Sequence, residues 1–255
     1  MPRNPDKPTV VLSVDWDYFF PDQDVYDWGH TEASGLFYEF LWTTRPHARD
    51  ICKPDAPLAI DTMWPSGHED FWAGGPLARG HQPKKLFLAE SHRSMLDFVK
   101  GRRNLVIHNI DAHHDLGYGE GDDGSLEPDC GNWAATLIRQ GRVAEYHQHY
   151  PTWRKQYPES QPRFAQATFD HSLPSGLRPD LVFACRSSCW CPPWADKDWM
   201  AFAATAGIAC HRASLQAVQY VMKPRSFDET VARQVALEMM KIESKMMQMN
   251  ASKTS

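Results

Sequence analysis

The sequence predicts an α/β protein built as a three-layer α/β/α sandwich around a mostly parallel sheet. Four short runs of Val, Ile, Leu and Phe are nearly continuous, as in strands that are covered on both faces. Segments with helical spacing lie between these runs, which favours strand–helix alternation. A chain of 255 residues can form one such domain with a buried core. Because no repeat or clear linker divides it, we predict a single domain over 1–255.

Each predicted element follows from its local pattern. The predicted strands are residues 9–14, 85–89, 104–110 and 180–184. The predicted helices are residues 91–100, 132–140 and 227–249. The last helix is the longest, because Ser226 or Asp228 can cap it and apolar residues recur at helical spacing. The segments 43–84 and 117–130 show neither a strand pattern nor a helical pattern, and long loops of this kind are usually functional.

Composition excludes several classes of function and leaves the thiols without a predicted role. The formal net charge is −5 and there is no long basic run, so neither nucleic acid nor an anionic membrane is an expected partner. The N-terminus lacks the apolar segment of a signal peptide, so we expect a cytoplasmic protein whose six cysteines are free. Cys185, Cys189 and Cys191 lack paired C-x-x-C spacing, which disfavours a structural zinc site.

Acidic and imidazole side chains follow three of the predicted strands, at the point where each strand ends. Because the carboxyl ends of parallel strands meet at one edge, and residues two apart in an extended chain point to the same side, these groups should converge. The candidate ligands are Asp15, Asp17, His92, Asp111, His113 and Asp115. Burying so many carboxylates without a cation would be costly, so we predict a metal site. Carboxylate and imidazole ligands favour Mn²⁺, with Zn²⁺, Fe²⁺ or Co²⁺ as competitors.

Two of these segments resemble known metal-binding motifs. The run Asp111-Ala112-His113-His114-Asp115 resembles the D-A-H-x-D motif of the arginase/agmatinase/deacetylase superfamily. The run Ser13-Val14-Asp15-Trp16-Asp17 resembles the S-x-D-x-D motif of the same enzymes, but it precedes the other motif here, so the order looks permuted. Together with Glu90-Ser91-His92-Arg93, the run Asp15-Trp16-Asp17-Tyr18-Phe19 looks closer to the UPF0489 family. That family includes peptide arginases, which convert arginine to ornithine in ribosomally made peptides.

The resemblance implies a role for each ligand. Asp15 and Asp111 would bridge two Mn²⁺ ions. His92 and Asp115 would complete the coordination of one ion, and Asp17 and His113 would complete that of the other. The two ions would activate a water molecule for attack on the guanidinium carbon, with release of urea. The catalytic candidates are Asp15, Asp111, His113 and, because it lies within the same motif, His114.

One segment departs from the pattern of arginases that act on the free amino acid. Those enzymes have a Ser-Gly-Asn-Leu-His stretch that holds the α-carboxylate, and here Cys130-Gly131-Asn132-Trp133-Ala134 stands in its place. Asn132 is kept as a substrate-binding candidate, but Ala134 replaces the histidine. We therefore expect a substrate whose arginine is already within a peptide, and a different proton shuttle, for which His114, His30 and His68 are candidates.

The guanidinium-binding carboxylate stays open at this point. A guanidinium pairs best with a carboxylate. Acidic residues in suitable loops are Asp27, Glu32, Glu90, Asp122, Asp123, Glu127 and Asp129. The loop that contains His30 and Glu32 is the most attractive, although Glu32 is equally suited to the first turn of a helix at 33–41. Tryptophans near Pro or Gly are candidates for a peptide groove, namely Trp64, Trp72, Trp190 and Trp194.

Three functions fit these observations. The first is Mn²⁺-dependent hydrolysis of an arginine in a precursor peptide to ornithine and urea. The second is another amidine or amide hydrolase, agmatinase-like or deacetylase-like, acting on a small molecule. The third is a non-catalytic, metal-stabilised protein that binds a peptide. The oligomeric state is left open.

Overall fold

The sheet of the protein is formed by six parallel strands. The computed structural model describes residues 7–20, 42–43, 58–81, 83, 86–118, 127–206 and 221–251. The strands are β1 (Thr9–Asp15), β2 (Leu86–Ala89), β3 (Leu105–Ile110), β4 (Val143–His149), β5 (Ala167–Asp170) and β6 (Leu181–Cys185). Their order is β2-β6-β1-β3-β4-β5, and each neighbouring pair is parallel. The predicted α/β class and parallel sheet are confirmed.

All four predicted strands are present, with ends that differ from the prediction by one residue or less. Strands β4 and β5 were not predicted, and they form one end of the sheet. Their sequences explain the omission, because β4 carries polar side chains such as Glu145 and His147, and β5 alternates between half-buried and exposed positions. The criterion of a continuous apolar run therefore missed both the edge strand β5 and its neighbour β4.

The helices agree less closely with the prediction. The described α-helices are α1 (Ala59–Thr62), α2 (Phe71–Gly74), α3 (Met95–Phe98), α4 (Trp133–Arg139), α5 (Asp196–Thr205) and α6 (Glu229–Ala251). The helix predicted at 91–100 is instead a 3₁₀ turn at His92–Ser94 followed by the single turn α3. Helices α4 and α6 confirm the predictions at 132–140 and 227–249, whereas α5 was not predicted. The helix considered at 33–41 lies outside the described residues.

Each face of the central strands is buried by its own apolar cluster. Leu12 and Val14 of β1 belong to a cluster that includes Phe202 of α5. The alternate residue Val11 belongs to a second cluster, which includes Trp133 of α4. Because the strands are covered on both faces, nearly every position in them is apolar, and this accounts for the continuous runs in the sequence.

The strand order brings four chain segments to one edge of the sheet. Strands β2, β6, β1 and β3 are consecutive neighbours, so the residues that follow their carboxyl ends lie side by side. In the register of the sheet, Asp15 is opposite Cys185, and Cys185 is opposite Ala89. This edge is where open parallel sheets place their ligands. Among the described residues, no helix is both long and apolar enough to cross a membrane.

Candidate metal centre

Two short turns place the acidic residues after β1 and β3. Asp15 ends β1, and its side chain accepts a hydrogen bond of 3.3 Å from the backbone N–H of Asp17, which caps the 3₁₀ turn Trp16–Phe19. After β3, Asp115 adopts a φ of +52°, a left-handed conformation that is uncommon outside glycine. Residues held in such conformations cluster at functional sites.

Three carboxylates converge on one nitrogen of His92. Its Nδ1 atom lies 3.0 Å from Asp15 Oδ2, 3.2 Å from Asp111 Oδ2 and 3.0 Å from Asp115 Oδ2. The side chain of His92 is 1% exposed. A single N–H can point at only one of these oxygens, so a proton on Nδ1 leaves the other two carboxylates without a hydrogen bond from this ring. A metal ion accepts several such ligands at once.

The ring of His92 is fixed on its other sides. Its Nε2 atom lies 2.7 Å from the hydroxyl oxygen of Ser13. One face stacks on Phe183, with centroids 5.4 Å apart and planes at 11°, and Trp133 is 5.1 Å from the ring. A polar partner on the second nitrogen is typical of histidines that ligate metals, because it orients the first nitrogen toward the ion.

A second group lies beside the first and shares Asp111 with it. His113 Nδ1 is 2.8 Å from Asp17 Oδ2 and 3.8 Å from Asp111 Oδ1. Asp111 therefore presents Oδ2 to His92 and Oδ1 to His113. The groups Asp17–Asp111–His113 and His92–Asp111–Asp115 each have the geometry to hold a metal ion.

The pKa values of the ligands show that the centre lacks positive charge. Burial, together with Asp15 and Asp111, raises the pKa of Asp17 to about 8. Burial, with Asp115 and Asp15, raises the pKa of Asp111 to about 7. Burial lowers the pKa of His92, but its three carboxylate neighbours outweigh this and hold that pKa well above the usual value. Buried carboxylates that take up protons at neutral pH are groups that a cation would stabilise.

Neutral donors hold the carboxylates in place. The indole N–H of Trp133 donates to Asp115 Oδ2 over 2.5 Å, and the hydroxyl of Ser187 donates to Asp15 Oδ2 over 2.5 Å. Ser187 itself adopts a φ of +48°. Such supporting contacts orient carboxylate ligands without supplying charge.

Comparison with known proteins adds no family assignment. No family model, curated protein or solved structure matches the chain. Any function must therefore be argued from the geometry of the centre itself.

The structure brings all six predicted ligands together, but it gives the other predicted site residues different surroundings. His114 is buried, with Nε2 3.0 Å from Ser160 O, while its Nδ1 accepts a hydrogen bond of 3.0 Å from the Leu116 N–H. These contacts brace the loop after β3. His68, another candidate shuttle, is buried and packs against Trp16.

The predicted substrate-binding residues in the described part of the chain are engaged in local contacts. Glu90 accepts hydrogen bonds from both Nε and Nη2 of Arg186, the shortest being 2.7 Å. Asn132 accepts a hydrogen bond of 2.9 Å from the backbone N–H of Asp129 through its Oδ1, in the turn that precedes α4. The candidates His30, Glu32, Asp27, Asp122 and Asp123 lie outside the described residues.

A buried ion pair beside the centre was missed by the sequence analysis. Glu159 accepts hydrogen bonds from Arg154 Nη2, the His114 backbone N–H and the Tyr118 hydroxyl, at 3.0 to 3.1 Å. Arg154 is 2% exposed and also donates to the carbonyl oxygen of Ala112 over 2.6 Å. The pair holds the loop that carries Asp111, His113 and Asp115. No motif marks residues 154–159, so only their place in the fold reveals them.

Aromatic rings flank the most accessible ligand. His113 is 12% exposed, more than any other of the six candidate ligands. Its ring lies 4.3 Å from the ring of Trp190 and 6.5 Å from that of Tyr118. Of the four tryptophans predicted to form a groove, Trp72 and Trp194 donate to backbone oxygens in the apolar core, whereas Trp190 reaches the metal centre.

Proposed function

We propose that the chain is a binuclear metal hydrolase that converts an arginine of a precursor peptide to ornithine and urea. In this proposal Asp15 and Asp111 bridge two Mn²⁺ ions on an arginase-like three-layer α/β/α scaffold with a permuted motif order. The observation that carries it is the orientation of Asp111, whose two oxygens face two different histidines. A carboxylate placed between two imidazoles in this way is suited to bridging.

The remaining ligands divide between the two ions. His92 and Asp115 would complete one, and Asp17 and His113 the other. Bound metal ions of this kind lower the pKa of a water molecule and polarise the bond to be hydrolysed. Mn²⁺ is the first choice because the six ligands offer oxygen and imidazole nitrogen, and Zn²⁺, Fe²⁺ or Co²⁺ would suit the same ligands.

The chain supplies features that suit a guanidinium substrate. Trp190 and Tyr118 lie beside His113, where the centre is most accessible. A planar cation is stabilised over the face of an aromatic ring, and the guanidinium also stacks on such rings. We infer that the arginine side chain enters beside these rings, with its guanidinium carbon directed at the position where the two ions would hold the water molecule.

A peptide substrate accounts for the missing α-carboxylate site. Ala134 is fully buried and offers no polar group. The Asn132 side chain is used within its own turn, since its Oδ1 accepts from Asp129 and its Nδ2 donates to the carbonyl oxygen of Glu127. A free amino acid would leave its carboxylate without these partners, whereas an arginine within a peptide has no such group.

The test is mass spectrometry of an arginine-containing peptide incubated with Mn²⁺-loaded protein. The expected result is loss of CH₂N₂ from an arginine with release of urea, and a much lower kcat/KM for free arginine. Asp111→Asn is the inactive control. Two bound ions without this reaction would redirect the proposal to a small-molecule amide or amidine. A Tyr118→Ala variant that binds the peptide normally and turns it over at the full rate would exclude the proposed entry route.

A further inference from the structure

We propose that the thiolate of Cys185 is an additional metal ligand, beside Asp15 and His92, and that it makes this position selective for Zn²⁺, Co²⁺ or Fe²⁺ over Mn²⁺. This inference rests on the proposed metal centre and deepens it, because it predicts two unlike positions. The sequence analysis expected Cys185 to be a thiol without a metal role.

The register of the sheet places Cys185 next to the centre. It ends β6 and lies directly opposite Asp15 in β1. Registered residues of neighbouring parallel strands point to the same face of the sheet. Accordingly, the Cys185 Sγ, one oxygen of Asp15 and one ring nitrogen of His92 all lie within 4.8 Å of one another. Three donor atoms grouped this closely could hold one metal ion.

A second observation points to a ligand at the same place. The Nδ1 atom of His92 is buried and has no hydrogen bond of acceptable geometry among the described residues. Three carboxylate oxygens nevertheless lie 3.0 to 3.2 Å from it. This nitrogen therefore faces several oxygens at once, as a metal-ligating nitrogen does, and Asp15, one of its three neighbours, is the residue opposite Cys185 in the sheet.

The other described cysteines provide controls. Cys185, Cys189 and Cys191 are all buried and none forms a disulfide. Among the described residues, Cys185 is the cysteine that joins a group of potential metal ligands. Cys189→Ser is thus a matched change of a buried thiol that does not belong to such a group.

The chemistry of the ligand sets the expected preference. A thiol loses its proton to solvent when it binds a metal, and the resulting thiolate favours borderline ions such as Zn²⁺. Mn²⁺ prefers oxygen and nitrogen, which the group Asp17–Asp111–His113 supplies. The competing explanation is that Cys185 only fills the apolar cluster that contains Phe183.

The experiment is absorption spectroscopy of the full-length protein reconstituted with Co²⁺. A thiolate ligand adds an intense near-ultraviolet sulfur-to-cobalt band to the weak visible bands of the bound ion. We expect this band in the wild type and in Cys189→Ser, and its loss in Cys185→Ser with the visible bands retained. The Zn²⁺ affinity of Cys185→Ser should fall on the order of tenfold or more, because even an outer-shell partner of a ligand is worth about 10- to 100-fold.

Two results would overturn the inference in different ways. Visible cobalt bands without a sulfur band in the wild type would exclude Cys185 while leaving the metal centre intact. Absence of any bound Co²⁺, Zn²⁺ or Mn²⁺ would remove the metal centre and the proposed function together. Should Cys185→Ser fail to fold, X-ray absorption of the Zn²⁺-loaded wild type decides the matter, since a sulfur neighbour at about 2.3 Å supports the inference and its absence contradicts it.

Discussion

Metal binding is expected to release about two protons from the protein at neutral pH. Carboxylate neighbours hold the pKa values of His92 and His113 well above the usual value, despite burial, so both rings are protonated in the metal-free protein. An imidazole must be neutral to ligate a metal. Asp17 lies 2.8 Å from His113 and its pKa is raised to about 8, and Asp111, with a pKa raised to about 7, lies 3.2 Å from His92. We therefore count each carboxylate–imidazole pair as sharing a single proton.

The size of the effect follows from this count. Each proton that must leave changes the apparent association constant about tenfold per pH unit, which corresponds to about 1.4 kcal/mol. Two protons therefore weaken the combined binding of two ions about a hundredfold when the pH falls from 7.5 to 6.5. The affinity should rise with pH, because deprotonation favours the state that binds the metal.

Calorimetric titration of the metal-free protein with Mn²⁺ measures the proton count directly. The observed heat is recorded at one pH in two buffers that differ in ionisation enthalpy, and the slope between them gives the number of protons released. His92→Asn, which removes one of the two protonated rings, should lower the count by about one. A heat that is independent of the buffer, with an affinity that is flat between pH 6.5 and 7.5, would refute the electrostatic argument.

Three further predictions test other parts of the structure. Asp111→Asn should abolish both bound metal and turnover, and an active variant with two ions by elemental analysis would contradict the shared-ligand assignment. Arg154→Met leaves Glu159, whose side chain is 9% exposed, without its cation, so urea unfolding should show a loss of about 3 kcal/mol, largely restored by adding Glu159→Gln. Burial and neighbouring imidazoles lower the pKa of His108 to about 4, below its value in the unfolded chain. The unfolded state therefore binds this proton first, and the free energy of unfolding falls as the pH drops from 6.5 to 4. After discounting for partial exposure, His108→Gln should reduce that loss by about 1–2 kcal/mol in urea titrations.

The central sheet was predictable because its sequence signal is local. A strand covered on both faces carries a continuous apolar run, which is Val10–Leu12 in β1, Leu105–Ile107 in β3 and the whole of β6. Strands β4 and β5 carry no such signal, because they form strands by pairing with their neighbours and not through an apolar composition of their own. Only the structure shows this pairing, in which Tyr146 is opposite Ala167 and His147 is opposite Thr168.

The ligands were predictable for a related reason. The spacings of Asp15 with Asp17 and of Asp111 with His113 predicted convergence on the assumption of extended backbone. Asp17 lies instead in a 3₁₀ turn, so the convergence comes from the shared edge of the sheet. The partners of these ligands have no comparable spacing. Ser187 is separated by 172 residues from Asp15, to which it donates a hydrogen bond, and only the pairing of β1 with β6 brings them together.

The separation between ligands and supporting residues also explains how the centre keeps its negative charge. Asp15 and Asp115 accept side-chain hydrogen bonds from a hydroxyl and an indole N–H, which orient the carboxylates without neutralising them. The nearby guanidinium groups of Arg154 and Arg186 form ion pairs with Glu159 and Glu90. An arginine paired directly with a ligand carboxylate would satisfy its charge and weaken its attraction for a metal. Because these arginines instead support the surrounding loops, the charge of the central carboxylates is balanced by protons, which a metal ion can displace.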